Sequence, residues 1–567
     1  MNLAYDVTTN RLISKSLTNT SGFYTNANTT WQFQYNANGL LERIIDPRNF
    51  TNVMVQYDQY GRQTNQLDAL NRATATRYGV PDKRQITHID PGGFQWVETY
   101  DRKGHITAQQ DPLTNITSYA YDTNGNRISI SEPLGWKTLF AYDSRANVIA
   151  RTNELGEITR WVFHSFFNKA VQEIDALNWT NSYAYDAGGN LTNHSDALGS
   201  LVRYAYTTNG LVTSATDANG NTSRFAYDTN GFLIAQSDAA NNTNSFAVNE
   251  VGWKLAQTNP LGQIATFAYD LNGNVLRTVD PLQRIFTKTY DANGNLLSAS
   301  DAKNQFTFSF YDAANQRTQT VDRASATNRI FYTQRGKLDR ATDALGNTAT
   351  NFYDSANRFI AASDPLGQSV TNVFDANGNV VTVIDKLGRS WSKTYDPLNR
   401  VLTESDPLGD TKRTTYDPVG RIKTITTPNG FVSTHDYDGR GRLTKWVDAE
   451  NFQWLYDYDG VGNITNITDA LGGHYAMSYG PRNERTLERN QDNFEWHYAY
   501  DELLRLKTQQ DPNGTTRTLD YDAGGRVLSV TFNTGRVNAF AYDDNNNPEV
   551  LTRTGSGPPT LSQLRYD

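Results

Sequence analysis

Cysteine is missing from all 567 residues. Its absence excludes disulfides and thiolate metal sites and leaves the redox compartment open. Apolar residues are scarce, at 37%, so a conventional core is thin. No long hydrophobic run occurs. The strongest apolar stretch, Val380-Val381-Thr382-Val383-Ile384, is far too short to span a bilayer. Met1 to Lys15 lack the apolar centre of a secretory signal. Basic residues form no stripe and the net charge is −8, which argues against nucleic acid as a partner. No stretch sustains a helical period.

What the chain has in plenty is aromatic rings and turn formers. Aromatics make up 12%, with 32 Tyr and 25 Phe, beside 41 Gly. Rings favour pleated, half-buried surfaces, and Gly, Asn and Asp favour tight turns. This is the profile of an all-β protein with many turns. Stepping by 21 from Tyr185 to Tyr542 meets eighteen positions, and only Val248 lacks a ring. Upstream the series runs through Phe163, Tyr142, Tyr121, Tyr100, Tyr78, Tyr57 and Tyr35, with a few 22-residue steps. A fixed period on this scale marks a repeat array.

Each unit carries two turns. The first follows the tyrosine, as in Tyr290-Asp291-Ala292-Asn293-Gly294-Asn295. Asp at the first place and Gly at the fourth predict a type I turn closed by a left-handed residue. Gly recurs there at Gly61, Gly125, Gly231, Gly378 and Gly462, and Asn replaces it at Asn315, Asn357, Asn399 and Asn483, the next residue to tolerate positive φ. The second turn lies ten residues on, as in Asp364-Pro365-Leu366-Gly367 and Asp406-Pro407-Leu408-Gly409, with Ala versions at Asp343-Ala344-Leu345-Gly346 and Asp196-Ala197-Leu198-Gly199. Between the turns lie five to seven residues, which is strand length. Each unit therefore reads as strand, turn, strand, turn. About twenty-five units give roughly fifty strands, about 240 Å of sheet at ~4.8 Å per strand. Open sheets rarely pass ~10 strands without curling, so a long curled ribbon of antiparallel hairpins is expected. A parallel β-helix is the competing architecture.

The unit Tyr-Asp-x-x-Gly-[Asn/Arg] followed by Asp-[Pro/Ala]-Leu-Gly resembles the YD repeat of the RHS family. Good instances are Tyr416-Asp417-Pro418-Val419-Gly420-Arg421 and Tyr521-Asp522-Ala523-Gly524-Gly525-Arg526. That repeat occurs in bacterial Rhs proteins, insecticidal toxin-complex components, wall-associated proteins and teneurins. The resemblance covers essentially the whole chain and implies a spiral β-shell, or cocoon. In bacteria such a shell encloses a C-terminal toxin domain; in teneurins it forms an extracellular adhesion module. The chain is accordingly expected to be one continuous array over 1–567, an irregular segment near 554–560 aside. It opens inside a unit at Tyr5-Asp6 and ends on Arg565-Tyr566-Asp567, so both ends read as cut within a repeat.

The expected function is a non-catalytic scaffold, the shell segment of a secreted or cell-surface toxin-like protein. Its implied partner is an enclosed toxin or cargo domain. The rival reading is an extracellular carbohydrate-binding or adhesion module for a surface glycan or receptor, resting on Trp96, Trp161, Trp179, Trp253, Trp391, Trp446, Trp454 and Trp496. Packing between hairpins accounts for the same rings. An enzyme is the third reading, and no catalytic residue stands out. The seven histidines, His88, His105, His164, His194, His435, His474 and His497, fall at unrelated places in the unit. His194-Ser195-Asp196 are strand neighbours, whose side chains point to opposite faces. No metal or cofactor is expected. The Asp/Asn loops lack the spacing of an EF-hand, and turn capping explains their oxygens.

Overall fold

In a computed structural model, which describes residues 2–6, 8–16, 30–555 and 560–563, the described residues form 53 strands and no helix. More than half of all residues lie in strands. The chain divides into two units: residues 1–156, 269–276 and 287–411, and residues 157–268, 277–286 and 412–567. In the first unit the strands pair consecutively from Asn2–Tyr5 to Val148–Thr152 and again from Ile285–Tyr290 to Val401–Ser405. In the second they do so from Ile158–Phe163 to Ile264–Tyr269 and from Thr411–Tyr416 to Thr560–Gln563. The pairing is antiparallel in both, so the architecture is a tandem hairpin array and the parallel β-helix is rejected. The irregular stretch near 554–560 begins as a strand end at Thr554, and Thr560 starts the next strand; residues 556–559, and the terminal Arg565-Tyr566-Asp567, lie outside the described residues.

The turns explain the register. In Tyr121 to Asn126 the Gly125 amide donates to the Asp122 carbonyl, and the Asp122 amide to the Asn126 carbonyl, at 3.2 and 2.9 Å. Gly125 has φ +88°. The pairing register shifts between Ala120 and Tyr121, as it does at the matching tyrosine of unit after unit. This is a type I turn with a bulge closed by a left-handed residue, which twists each hairpin. Every Asn predicted at the closing place has φ between +59° and +67°. The turn at Asp196 departs from its siblings. Its strands run on until Asp196 pairs with Gly199, leaving a two-residue loop, and Gly199 reaches φ +120°.

The described residues form almost no apolar core: Pro47, Val55 and Ala361 are their buried apolar side chains. Gln453–Tyr458 alternates exposed and half-buried, with Trp454, Tyr456 and Tyr458 on the half-buried face. On that face Trp454 stacks on Trp446 of the adjoining strand at 4.5 Å, and stability comes from contact with neighbouring hairpins.

Candidate functional site

The repeated tyrosine earns its hydroxyl. Tyr458 donates to the Leu443 carbonyl at 2.7 Å, Tyr227 to Val212 at 2.9 Å and Tyr521 to Leu506 at 2.7 Å. Each bond reaches fifteen residues back, into the preceding hairpin. The adjoining aspartate caps its own turn. Asp438 Oδ1 accepts the amides of Arg440 and Arg442 at 2.9 and 3.0 Å, and its Oδ2 accepts Arg442 Nε at 2.6 Å. Arg442 then reaches forward, donating to the Asp459 carbonyl at 2.8 Å and lying 4.6 Å from the Tyr458 ring centre. Arg421, Arg505 and Arg526 repeat both contacts. A guanidinium over a ring adds cation–π attraction to the charge-assisted bonds. The arginine after the closing Gly is thus the link from one unit to the next, a role that the sequence pattern alone does not reveal.

These bonds also hold the carboxylates charged. The side-chain bond from Asn190, then its backbone amide, lowers the Asp186 carboxyl below the usual range. His105, through its ring and then its amide, lowers Asp101 to about 2.

A second set of contacts joins distant parts of the chain. In the first unit the second turns of the earlier run meet the first turns of the later run. Asp46 is fully enclosed. It binds Arg48 at 3.0 Å and accepts the Asn293 amide at 2.5 Å, while Arg48 donates to the carbonyls of Asp312 and Ala313 at 3.1 and 3.0 Å. Further along, Arg335 binds Asp90 at 2.7 Å, and Asn377 donates to Glu132 at 2.6 Å while accepting the Leu134 amide at 3.2 Å. The second unit contains its own version. Arg440 grips Asp196 with two nitrogens, at 2.5 and 3.2 Å, Asn219 donates to Asp459 at 3.0 Å, and Arg284 donates to the Asp544 carbonyl at 2.8 Å. Partners across these seams stand 240 to 265 residues apart, about twelve units of the repeat. The recurrent clasp is the residue just before the closing Gly or Asn: Asn293, Arg335, Asn377, Arg440 and Arg482, the last 3.5 Å from Asp238.

The first unit also contains a hollow of about 440 Å³, lined by His88, Trp96, Glu98, Gln109, Asp111 and Glu132 among others. Glu98 is its hub. It accepts the Tyr100 hydroxyl at 2.5 Å and Gln109 Nε2 at 3.0 Å, and lies 3.5 Å from His88 Nε2. Burial, then the bond to Glu98, raises the Tyr100 phenol to about 12.

The other residues weighed from sequence are dispersed. His194 stacks on Tyr183 at 4.7 Å while Asp196 holds Arg440, so the His-Ser-Asp neighbours serve different contacts. His105 caps a turn with Asp101, and His497 lies 3.2 Å from Glu495. Trp446 and Trp454 stack on each other at 4.5 Å. Of the eight tryptophans named above, Trp96 alone is exposed, so they form no open row. Among the described residues no group of three or more His, Asp or Glu is placed to hold a metal.

Repeated turns, half-buried ring faces and seams within each unit define a hairpin-repeat scaffold. The family model of the teneurin YD-shell matches residues 94–286 and 185–410, together more than half of the sequence, and the RHS repeat model matches 395–434, 416–451, 437–474 and 500–537. The chain belongs to the teneurin YD-shell family. The solved TcdB2–TccC3 structure aligns over 92% of this chain and 32% of its own, with a TM-score of 0.59 and 14% identity. A Tc holotoxin pore of Photorhabdus luminescens aligns over 96% of this chain and 33% of its own, at 14% identity and a TM-score of 0.35. The chain thus spans about a third of the length of these structures, and the first likeness shows the shared fold alone. No curated protein matches the sequence.

Proposed function

We propose that the chain is a non-catalytic wall segment of a secreted or cell-surface YD-shell protein of the toxin-like type, which encloses a cargo domain, and that residues 1–567 act as one continuous array. The observation that carries this reading is the seam. A ribbon that returns beside itself every ~12 units and clasps its own turns builds wall, and repeat arrays of this kind put their residues into neighbour contacts. The carboxylate oxygens of turn aspartates such as Asp438 are occupied by turn amides and by an arginine, which also supports a structural role. The test is limited proteolysis of the native gene product. A segment beyond Asp567 that resists protease until the repeat array unfolds is expected. A gene product with no further segment, or one whose segment is cut as fast as when free, contradicts enclosure.

The hollow around Trp96 favours a second reading, a carbohydrate-binding or adhesion module. One exposed ring beside Glu98, Gln109 and Asp111 offers stacking and hydroxyl-binding groups together, as small-ligand sites do. A glycan array with the wild-type chain and Trp96→Ala decides it: binding lost in the variant supports adhesion, and no binding by the wild type removes it.

A further inference from the structure

The seams of the first unit imply a surface that lacks its partner. The third place of the second turn is Leu70, Leu134 and Leu155 in the earlier run, where these leucines are 39–44% exposed. In the later run the same place is Leu345, Leu366, Leu387 and Leu408, in four consecutive units, and there the exposure is 74–88%. The sequence around the two sets is alike, so the difference comes from what covers them. In the earlier run the first turns of the later run sit on this edge. Asn377, for example, accepts the amide of Leu134 itself. The opposite edge mirrors this. The clasps Asn293, Arg335 and Asn377 are half-buried in the seam, whereas Lys103 and Asn124, at the same place in the earlier run, are exposed.

We infer that the leucine edge of residues 343–409 is an open seam that receives the first-turn edge of a second copy of this chain, the copies associating head to tail. Two observations select that occupant. The first is identity with a joint the molecule already makes, since both halves of the seam, leucine edge and clasp edge, are present and uncovered on one chain. The second is charge. Each filled seam sets an acid at the first place of the second turn against an Asn or Arg clasp. The open edge keeps such acids at Asp343, Asp364, Asp385 and Asp406, Asp364 also holding Lys386 at 2.5 Å, and the opposite edge offers Lys103 and Asn124. Four leucines, one per hairpin and so ~10 Å apart, form a row about 30 Å long, the kind of contiguous apolar strip that marks an interaction site. A leucine edge meeting a clasp edge is a heterologous contact, and one chain contributes a different surface to each neighbour.

The test uses two double variants of the full chain, read by sedimentation velocity. Leu366→Asp with Leu387→Asp breaks the leucine edge, and Lys103→Asp with Asn124→Asp breaks the clasp edge. The wild type is expected to associate as its concentration rises, and each variant alone to stay at one copy of 63.6 kDa. An equimolar mixture of the two variants is expected to double that mass, since each supplies the edge the other lacks. Circular dichroism establishes that the variants are folded, and Leu366→Ser with Leu387→Ser serves if the aspartates unfold the chain. A wild type that remains a single copy overturns the inference, as it would if a further pass of the same chain filled the edge. Association untouched by either variant also overturns it, because joining through terminal strand edges would be indifferent to these residues. A mixture that stays at one copy overturns the head-to-tail pairing.

Discussion

Replacing Asp46 by alanine removes the most enclosed side chain of the seams. Its carboxylate accepts the amides of Arg48 and Phe50 at 2.9 Å each, the guanidinium of Arg48 at 3.0 Å, and the Asn293 amide at 2.5 Å. Breaking a buried ion pair by deleting one partner costs about 3–5 kcal/mol, because the other charge is left uncompensated. Asp291 lies 3.5 Å from Arg48 and supplies part of that compensation, which places the expected loss near the lower bound, about 3 kcal/mol. A repeat array opens in parts rather than all at once, so the loss should be read locally by hydrogen exchange. At 1.4 kcal/mol per factor of ten, amides of 44–50 and 291–295 should exchange about a hundredfold faster, while the second unit is unchanged. Asp406→Ala is the comparison. Asp406 caps the same kind of turn through the amides of Leu408 and Asp410 but lies on the open edge, and its loss should cost only about 1 kcal/mol. Equal effects of the two substitutions would refute the reasoning, since the seam would then add nothing to the turn.

Tyr458→Phe deletes only the hydroxyl that bonds the Leu443 carbonyl; it should destabilise that pair of hairpins by about 1 kcal/mol, seen as faster exchange in 443–458, and no change would mean that the ring alone serves the repeat. Arg442→Lys keeps the charge but not the fork that binds Asp438, reaches the Asp459 carbonyl and covers Tyr458, so lysine should recover little of what Arg442→Ala loses; full recovery in denaturant unfolding would contradict that. Turn aspartates such as Asp101, Asp143 and Asp186 have lowered folded values, so their stabilisation is complete above the unfolded value near ~4 and is lost as pH falls through the folded values, to about 2 at Asp101. Melting temperature should therefore drop between those limits; a rise on acidification would contradict the capping.

Much of the fold is legible in the sequence because turns have a local chemistry. Gly and Asn at the closing place declare positive φ, and the 21-residue spacing of rings declares the hairpin. The same place is also closed by Ala146, Leu504, Thr114, Gln283 and Ser325, with φ between +63° and +70°. None of those residue types declares positive φ; the hairpin imposes the conformation on them. The seams are illegible for a different reason. Asp46 and Asn293 meet 247 residues apart, a distance set by how the ribbon curls and not by any local pattern. Leu134 and Leu366 occupy identical motif positions, yet one is half covered and the other bare. The tryptophans suggested a binding row only because sequence cannot report that Trp446 and Trp454 spend their faces on each other.

The absence of cysteine allows the central claim, a hairpin ribbon that returns to clasp itself, to be tested by disulfide trapping. A Cβ at Gly92 would lie 3.0 Å from the Arg335 side chain, and one at Gly524 would lie 2.6 Å from that of Leu282. The pairs Gly92→Cys with Arg335→Cys and Leu282→Cys with Gly524→Cys probe one seam in each unit. Under mild oxidation each should close a loop of more than two hundred residues, visible as a mobility shift on a non-reducing gel. Pairs displaced by one repeat, such as Gly92→Cys with Ala356→Cys, should not. Failure of both seam pairs to oxidise, or equal oxidation of the displaced pair, would contradict the account.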